Sequence, residues 1–373
     1  MELPRHNLRT PGPTPCPDEV LDALSGPMIN HRGPEFRELI FSITGKLQRI
    51  FGTEEDVFVL TASGTGCLEA AIVNTLSPGD KVLAVSVGSF GDRFASIAQA
   101  YGADVTKMSV EWGQAADPDA VREALSADPD IKAVLVTHNE TSTGVTNDLQ
   151  ALSKVIKDEF DKLYLVDAVS SLGCIPLPMD EWRCDVVGTA SQKGMMVPPG
   201  LGFISMSPDA WAAYKTSTMG RFYFDLGAAQ RYLRMGQTPW TPGLPLYYGL
   251  DVALDRMLEE GMEQVHRRHA RLAHFIRESL KAMGLSLFAD PAFASDTVTA
   301  VWTPDGIDGP ELLEQLRVDD AVVLAEGQGK MEGKIFRVGH MGYVDEDDLQ
   351  VALNALERGL FKAGYRPVGT AGA

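Results

Sequence analysis

Three short stretches carry residue types that could do chemistry together. The first, Ala62-Ser63-Gly64-Thr65-Gly66, follows the apolar run Val57–Leu60 and opens a helical pattern. Glycines at a helix start leave backbone N–H groups open to an oxyanion, most often a phosphate; a plain helix N-cap is the other use of the same residues. No GK[ST] follows, which excludes a Walker A loop, and the third glycine of a dinucleotide fingerprint is missing. One phosphate fits better than a pyrophosphate. The second is Asp167, which closes the apolar run Lys162–Val166; a carboxylate there faces a ligand or caps the next turn. The third is Ser191-Gln192-Lys193-Gly194, set between Asp185–Thr189 and Met195-Met196-Val197-Pro198-Pro199. A lysine there is either an ordinary solvated cation or, in such apolar and stiff surroundings, a less basic amine suited to Schiff-base chemistry.

Together, a single-phosphate nest, a strand-end carboxylate and a desolvated lysine are what pyridoxal 5′-phosphate requires: an anchor, a partner that keeps the pyridine nitrogen protonated, and an amine. Phe90, in Gly88-Ser89-Phe90-Gly91, could lie on a ring or serve as a core aromatic. Arg337, after Ile335-Phe336, is costly to bury unless paired, and its two-donor fork matches a substrate carboxylate. His266, His269 and His274 lie in an arginine-rich segment without HExxH and read as a solvated helix face, so no metal site is expected.

These residues need a scaffold, and the hydrophobic pattern supplies one. Pro11-Gly12-Pro13-Thr14-Pro15 must be extended, because proline fixes φ and restricts its predecessor. Phe36, Leu39, Ile40, Ile43, Leu47 and Ile50 share one helix face over Pro34–Phe51. Lys81–Val87, Asp104–Ser109, Ile131–Thr137, Lys162–Val166, Asp185–Thr189 and Gly202–Ser205 read as strands, with helical patterns near 66–76, 91–101, 118–126 and 148–158. Strands apolar throughout, alternating with helices, predict a parallel, doubly wound α/β sheet whose ligands gather at the strands' carboxyl ends. A long helical pattern then spans Leu246 to Met283. It is followed by strands at Leu285–Phe288, Thr297–Trp302, 321–324 and 334–338, a helix at 309–317 and a closing helix from 345. The expected division is an N-terminal arm (1–20), a large α/β domain (21–260) and a smaller α+β domain (261–373), with a tail that frays after Tyr365.

Composition narrows the partners. With 33 Lys+Arg against 51 Asp+Glu, the net charge of −18 opposes binding to nucleic acid or an anionic membrane surface. Four scattered cysteines without a CxxC pair predict neither a disulfide scaffold nor a structural zinc. With no apolar signal core and no eighteen-residue apolar stretch, a soluble, reduced, cytoplasmic protein is expected.

The same residues, in this order, resemble the class V aminotransferases of fold-type I, in the branch of the serine–glyoxylate and alanine–glyoxylate enzymes. The likeness runs from Thr10-Pro11-Gly12-Pro13-Thr14 through ASGTG (62–66), NTLSPGD (74–80), HNETSTGVTND (138–148), VDAVSSLG (166–173), MDEW (179–182), SQKG (191–194), PPGLG (198–202) and TPWTP (238–242) to GKIFRVGHMG (333–342). Glu111-Trp112-Gly113-Gln114 and His138-Asn139-Glu140-Thr141 look closer to the serine–glyoxylate side. The resemblance implies Lys193 as Schiff-base lysine, Asp167 as pyridinium partner and Phe90 as stacking ring. It implies Ser63, Gly64, Thr65 and Gln192 at the phosphate, with Thr241 reaching in from a second subunit, and Thr141 near the phenolic oxygen. Arg337 and Gly12 would meet the substrate. Thr238 departs from the pattern, since some relatives carry a phosphate-binding Tyr there. The resemblance further implies a homodimer with sites at the subunit interface, transferring an amino group from serine or alanine to glyoxylate or another small 2-oxo acid in a ping-pong reaction. The alternatives are aspartate or another donor, a non-catalytic pyridoxal-phosphate-binding subunit of a complex, and a lyase of the cysteine desulfurase type. That lyase needs a late, mobile cysteine, and none follows Cys184.

Overall fold

A computed structural model of the protein describes residues 6–366; most of the tail expected to fray lies outside them. Helix α1 (Pro34–Phe51) starts on a proline whose missing N–H is no loss there, and stops at Gly52 in the left-handed region (φ 61°). Its apolar stripe, from Phe36 to Phe51, is buried against the main core.

The central sheet has seven strands: β1 (Val57–Thr61), β2 (Lys81–Ser86), β3 (Asp104–Ser109), β4 (Ala133–Thr137), β5 (Leu163–Asp167), β6 (Val186–Ala190) and β7 (Leu201–Met206). Their order is β1-β7-β6-β5-β4-β2-β3. The run from β6 to β3 is parallel, as the apolar runs predict, because strands buried on both faces need helical crossovers. Strand β7 departs from that expectation: it lies antiparallel to both β1 and β6. A ten-residue connection (191–200) with no helix cannot make a parallel crossover, so the chain turns back on itself. Strand β3 is also unlike the others, an edge strand in which no residue is fully buried.

The helical pattern expected from Leu246 to Met283 is two helices, α4 (Leu244–Glu260) and α5 (Met262–Ala282), separated by Gly261 at φ 82°. Between α1 and α4 lie α2 (Gly64–Thr75) and α3 (Ser89–Ala100), which follow β1 and β2. A second apolar cluster joins α5, α6 (Gly309–Asp319), α7 (Glu346–Lys362) and strands β8 (Val298–Trp302) and β10 (Ile335–Gly339). Strand β10 lies centrally between β8 and the short β9 (Ala325–Glu326). The strand expected at Leu285–Phe288 reduces to one bridge, Leu287 with Val301.

The extended arm ties the two parts. Asn7–Leu8 pairs with Val322–Val323, Gly339 N–H donates to the Arg9 carbonyl at 2.6 Å, and Thr14 N–H donates to the Gln192 carbonyl at 3.0 Å. Among the described residues, no helix is long and apolar enough to cross a membrane, and no group of three or more His, Cys, Asp or Glu could hold a metal ion.

Candidate active site

The carboxyl ends of β5 and β6 and the amino ends of α2 and α3 converge beneath the arm on a cavity of about 290 Å³. Gly12, Ser63, Gly64, Thr65, Phe90, Asp167, Gln192 and Lys193 all line it. A wider cleft of about 680 Å³ opens at the other end of the sheet, by the amino ends of β2, β4 and β5, but its Lys81 and Lys132 are already paired with Asp128 and Asp80.

At the start of α2, Ser63 is the N-cap residue and its side chain makes no capping hydrogen bond. The first N–H groups of this helix therefore stay available to an oxyanion. Gly64 is required by packing: a Cβ there would stand 2.6 Å from Val169 Cγ2. Gln192 also lines the cavity, and its buried Oε1 has no partner among the described residues.

Asp167 ends β5, fully enclosed between β4 and β6. Its Oδ1 accepts the Val169 N–H at 2.9 Å, and no protein donor reaches Oδ2 among the described residues. Burial pushes the carboxyl up to about 7; the Val169 hydrogen bond opposes this, Glu140 adds to it, and Lys193 and Arg93 oppose it. Lys193 is pushed the other way, to about 8, by burial and then by the nearby Arg337 and Arg93 cations, with Asp167 opposing. Its Nζ donates to the Pro11 carbonyl, and the Lys193 backbone carbonyl accepts from Thr14 Oγ1 at 3.0 Å. Near neutral pH this amine is in part unprotonated and so can act as a nucleophile or a base. Gly12, at φ 105°, gives it room: a Cβ there would sit 2.5 Å from Nζ.

Phe90 stands in the first turn of α3, with the Arg93 guanidinium 4.7 Å from its ring centre. Thr141 and Arg337 do not line the cavity but lie together beside it. Thr141 Oγ1 donates to Ser170 Oγ at 2.8 Å, and its carbonyl accepts from Arg337 Nη1 at 3.1 Å. Arg337 is 4 % exposed and has no carboxylate partner among the described residues; burial lowers its pKa to about 10, with Glu140 opposing. Thr241 is exposed and stands outside the cavity of its own chain. Thr238 is occupied within its turn, its Oγ1 donating to the Trp240 carbonyl at 2.7 Å.

Sequence reasoning passed over Glu140, which is fully buried and accepts hydrogen bonds from Phe90, Gly91 and Ser142 N–H and from Ser142 Oγ. Its signal was a charge inside a short polar run between two apolar segments. The expectation for the histidines of α5 is corrected at His269. That ring is buried, with Nδ1 2.7 Å from the Val265 carbonyl while Nε2 accepts the Gly342 N–H at 3.1 Å, holding the turn after β10.

Open N–H groups at α2, a buried carboxylate with one free oxygen and a partly deprotonated lysine suit the phosphate, the ring nitrogen and the carbonyl carbon of pyridoxal phosphate in turn. Comparison with known proteins agrees. Residues 7–339 match the family model for aminotransferase class-V. The soluble hydrogenase small subunit of a Synechococcus strain is 43% identical, over 96% of this chain and 94% of that one. The serine–glyoxylate aminotransferase of Methylorubrum extorquens is 40% identical, over 97% and 92%. The crystal structure of an alanine–glyoxylate aminotransferase from Nostoc sp. superposes with a TM-score of 0.93 at 32% identity, covering 96% of each chain.

Proposed function

From the premise that the chain belongs to the aminotransferase class-V family and is a fold-type I aminotransferase, we propose that it moves an amino group from serine or alanine to glyoxylate or another small 2-oxo acid. The observation that carries this reading is the pairing of Asp167 and Lys193 in one buried cavity, with pKa values drawn together toward neutrality. Enzymes of this family depend in general on pyridoxal phosphate. When bound, that group supplies an electron sink for the pair left as a substrate Cα loses its proton.

The chain's own residues divide the remaining work. Ser63, Gly64, Thr65 and Gln192 would hold the phosphate, Phe90 the ring face and Thr141 the phenolic oxygen. Asp167 would share a proton with the ring nitrogen through its free oxygen. Arg337 binds the substrate α-carboxylate, and Gly12 leaves the space in which the substrate and Lys193 meet. Lys193 takes the Cα proton as a general base and can give it back as an acid.

The reading includes two domains meeting near residue 260, a cytoplasmic setting that suits four free cysteines, and a homodimer in which Thr241 of a second copy reaches the phosphate. Supporting the dimer, Phe222 is 76 % exposed yet stacks on Trp240 at 4.8 Å, and Tyr223 also stacks on Trp240 at 6.0 Å, next to Thr241 in the chain. Exposed aromatic stacks of this kind mark contact surfaces. Against a desulfurase, no cysteine lines the cavity. Against a non-catalytic subunit, Lys193, Asp167 and Arg337 are all present in or beside it.

The test is a panel of single half-reactions with serine, alanine and aspartate as donors and glyoxylate and pyruvate as acceptors, followed by the bound cofactor's absorbance. Rapid conversion by serine or alanine, reversed by glyoxylate, supports the reading. Conversion by aspartate alone moves the assignment to that donor, and no conversion by any of them overturns it.

A further inference from the structure

An arginine has five N–H donors, and in this protein the hydrogen bonds of Arg337 can be counted. Nε and Nη2 both donate to the Glu326 carbonyl, at 2.9 and 2.6 Å. Nη1 donates to the Thr141 carbonyl at 3.1 Å and to Gln328 Oε1 at 3.3 Å. Both hydrogens of Nη1 are therefore engaged, and one hydrogen, on Nη2, is left. A two-pronged contact with a carboxylate needs two parallel N–H groups. One acceptor must leave before it can form.

The three acceptors differ in how easily they move. Glu326 lies in β9, paired with Phe336 of β10. Thr141 is buried, its side chain tied to Ser170. Gln328 is half-buried in Gly327-Gln328-Gly329, and among the described residues its side chain makes no other hydrogen bond. The backbone around it is held, Gly327 N–H donating to the Ile335 carbonyl at 2.9 Å and the Gln328 carbonyl accepting from Met331 N–H at 3.1 Å, so that only a turn of the Gln328 side chain is needed to free the donor.

We propose that Gln328 is a substrate-displaced cap: its side-chain carbonyl holds a donor of Arg337 in place of one oxygen of the substrate α-carboxylate, and gives way when the substrate binds. This rests on Arg337 being the carboxylate clamp. The cap explains how a buried, uncompensated guanidinium keeps Nη1 satisfied between turnovers. It also lowers the apparent affinity of every α-carboxylate by the same factor, because each must first displace the amide.

The experiment uses the pyridoxal-phosphate-loaded protein and reads binding apart from turnover. The probe is 2-methylalanine, which has an α-carboxylate but no Cα proton, titrated by its effect on the bound cofactor's absorbance; ethanolamine, which has no carboxylate, is the control. Gln328→Ala should tighten 2-methylalanine by about three- to tenfold and lower KM for serine, alanine and glyoxylate by a similar factor. Gln328→Glu, nearly the same shape, would form a lasting ion pair with Arg337 and should weaken all of them by about tenfold or more. Ethanolamine should not respond to either change. Opposite signs from the two substitutions cannot come from loosened packing. Weaker binding in Gln328→Ala would overturn the proposal, making Gln328 an arm that holds the substrate. If Arg337→Lys weakens 2-methylalanine while both Gln328 variants bind as the parent does, the cap alone fails. If Arg337→Lys has no effect, the clamp fails and the cap with it.

Discussion

Glu140 accepts the backbone N–H of Phe90 at 3.0 Å, across fifty residues of sequence. A second N–H in the same turn, from Gly91, reaches the same oxygen at 3.0 Å. Helix α3 has no side-chain cap of its own, since its N-cap residue is Gly88, so a carboxylate from another segment does that work and fixes the aromatic ring at the cavity wall. Gly88 is part of the arrangement: a Cβ there would collide with Glu140 Cγ.

Replacing Glu140 by Gln keeps the volume but points an N–H₂ group at a set of N–H donors. A buried donor left unsatisfied costs about 1–3 kcal/mol. Glu140→Gln should lower the melting temperature of the cofactor-free protein by a few degrees and weaken pyridoxal phosphate binding, measured by fluorescence titration. Unchanged values of both would show that the contact does not hold the Phe90 turn.

Asp167 makes the cofactor-free protein pH-sensitive in a defined direction. Its folded pKa, about 7, lies above the ordinary carboxyl value of 3.8. The folded state therefore holds the proton more tightly than the unfolded chain. Stability from this group is full below about pH 4 and is lost as pH rises through about 7, amounting to a few kcal/mol at most. Asp167→Asn should remove that loss, so the variant melts higher than the parent at pH 8 and alike at pH 4. With cofactor and donor present, the same variant should lose several orders of magnitude in the rate of proton removal.

For Lys193, borohydride reduction of protein loaded with pyridoxal phosphate should fix one equivalent, and peptide mass mapping should find it on this residue. Because burial lowers the amine to about 8, the rate of cofactor capture should climb as pH rises through that value, where the free amine appears. An adduct on another lysine would remove Lys193 from the role.

Arg337→Lys keeps the charge and loses the planar fork. It should reduce kcat/KM for every amino and oxo acid by roughly thirty- to a thousandfold, the equivalent of about 2–4 kcal/mol, and lower the melting temperature by a few degrees, because the Glu326 carbonyl and the buried Thr141 carbonyl lose donors. Decarboxylated amines should lose nothing. A variant that discriminates serine from alanine but treats glyoxylate normally would mean that Arg337 reads a side chain.

Gly12→Ala tests the space over the lysine. At φ 105°, with a Cβ placed 2.5 Å from Lys193 Nζ, the substitution is strained and blocked at once. The variant should fold, since the arm stays anchored by Thr14 to Gln192 and by Arg9 to Gly339, but bind pyridoxal phosphate poorly in an absorbance titration. Normal cofactor loading would show that the arm moves aside freely.

The sequence by itself determined the parts of this protein that are written locally. A run of apolar residues ending in one charged group is legible wherever it occurs, which is why Asp167 and Lys193 could be read at strand ends and the parallel core of the sheet expected from its helix-separated strands. The ordered motifs were enough to mark the aminotransferase class-V family. Tertiary structure decided what depends on distant segments meeting. Strand β7 runs antiparallel because a short connection forbids a crossover, and no periodicity records that. Phe90 is held by Glu140, Lys193 lies under Pro11, 182 residues away in sequence, and Arg337 reaches Thr141 across 196. Burial is likewise a property of the assembled fold. It is the largest influence moving the Asp167 carboxyl up and the Lys193 amine down, because desolvation penalises whichever form is charged, and the sequence names these two groups without saying how far from water they will lie.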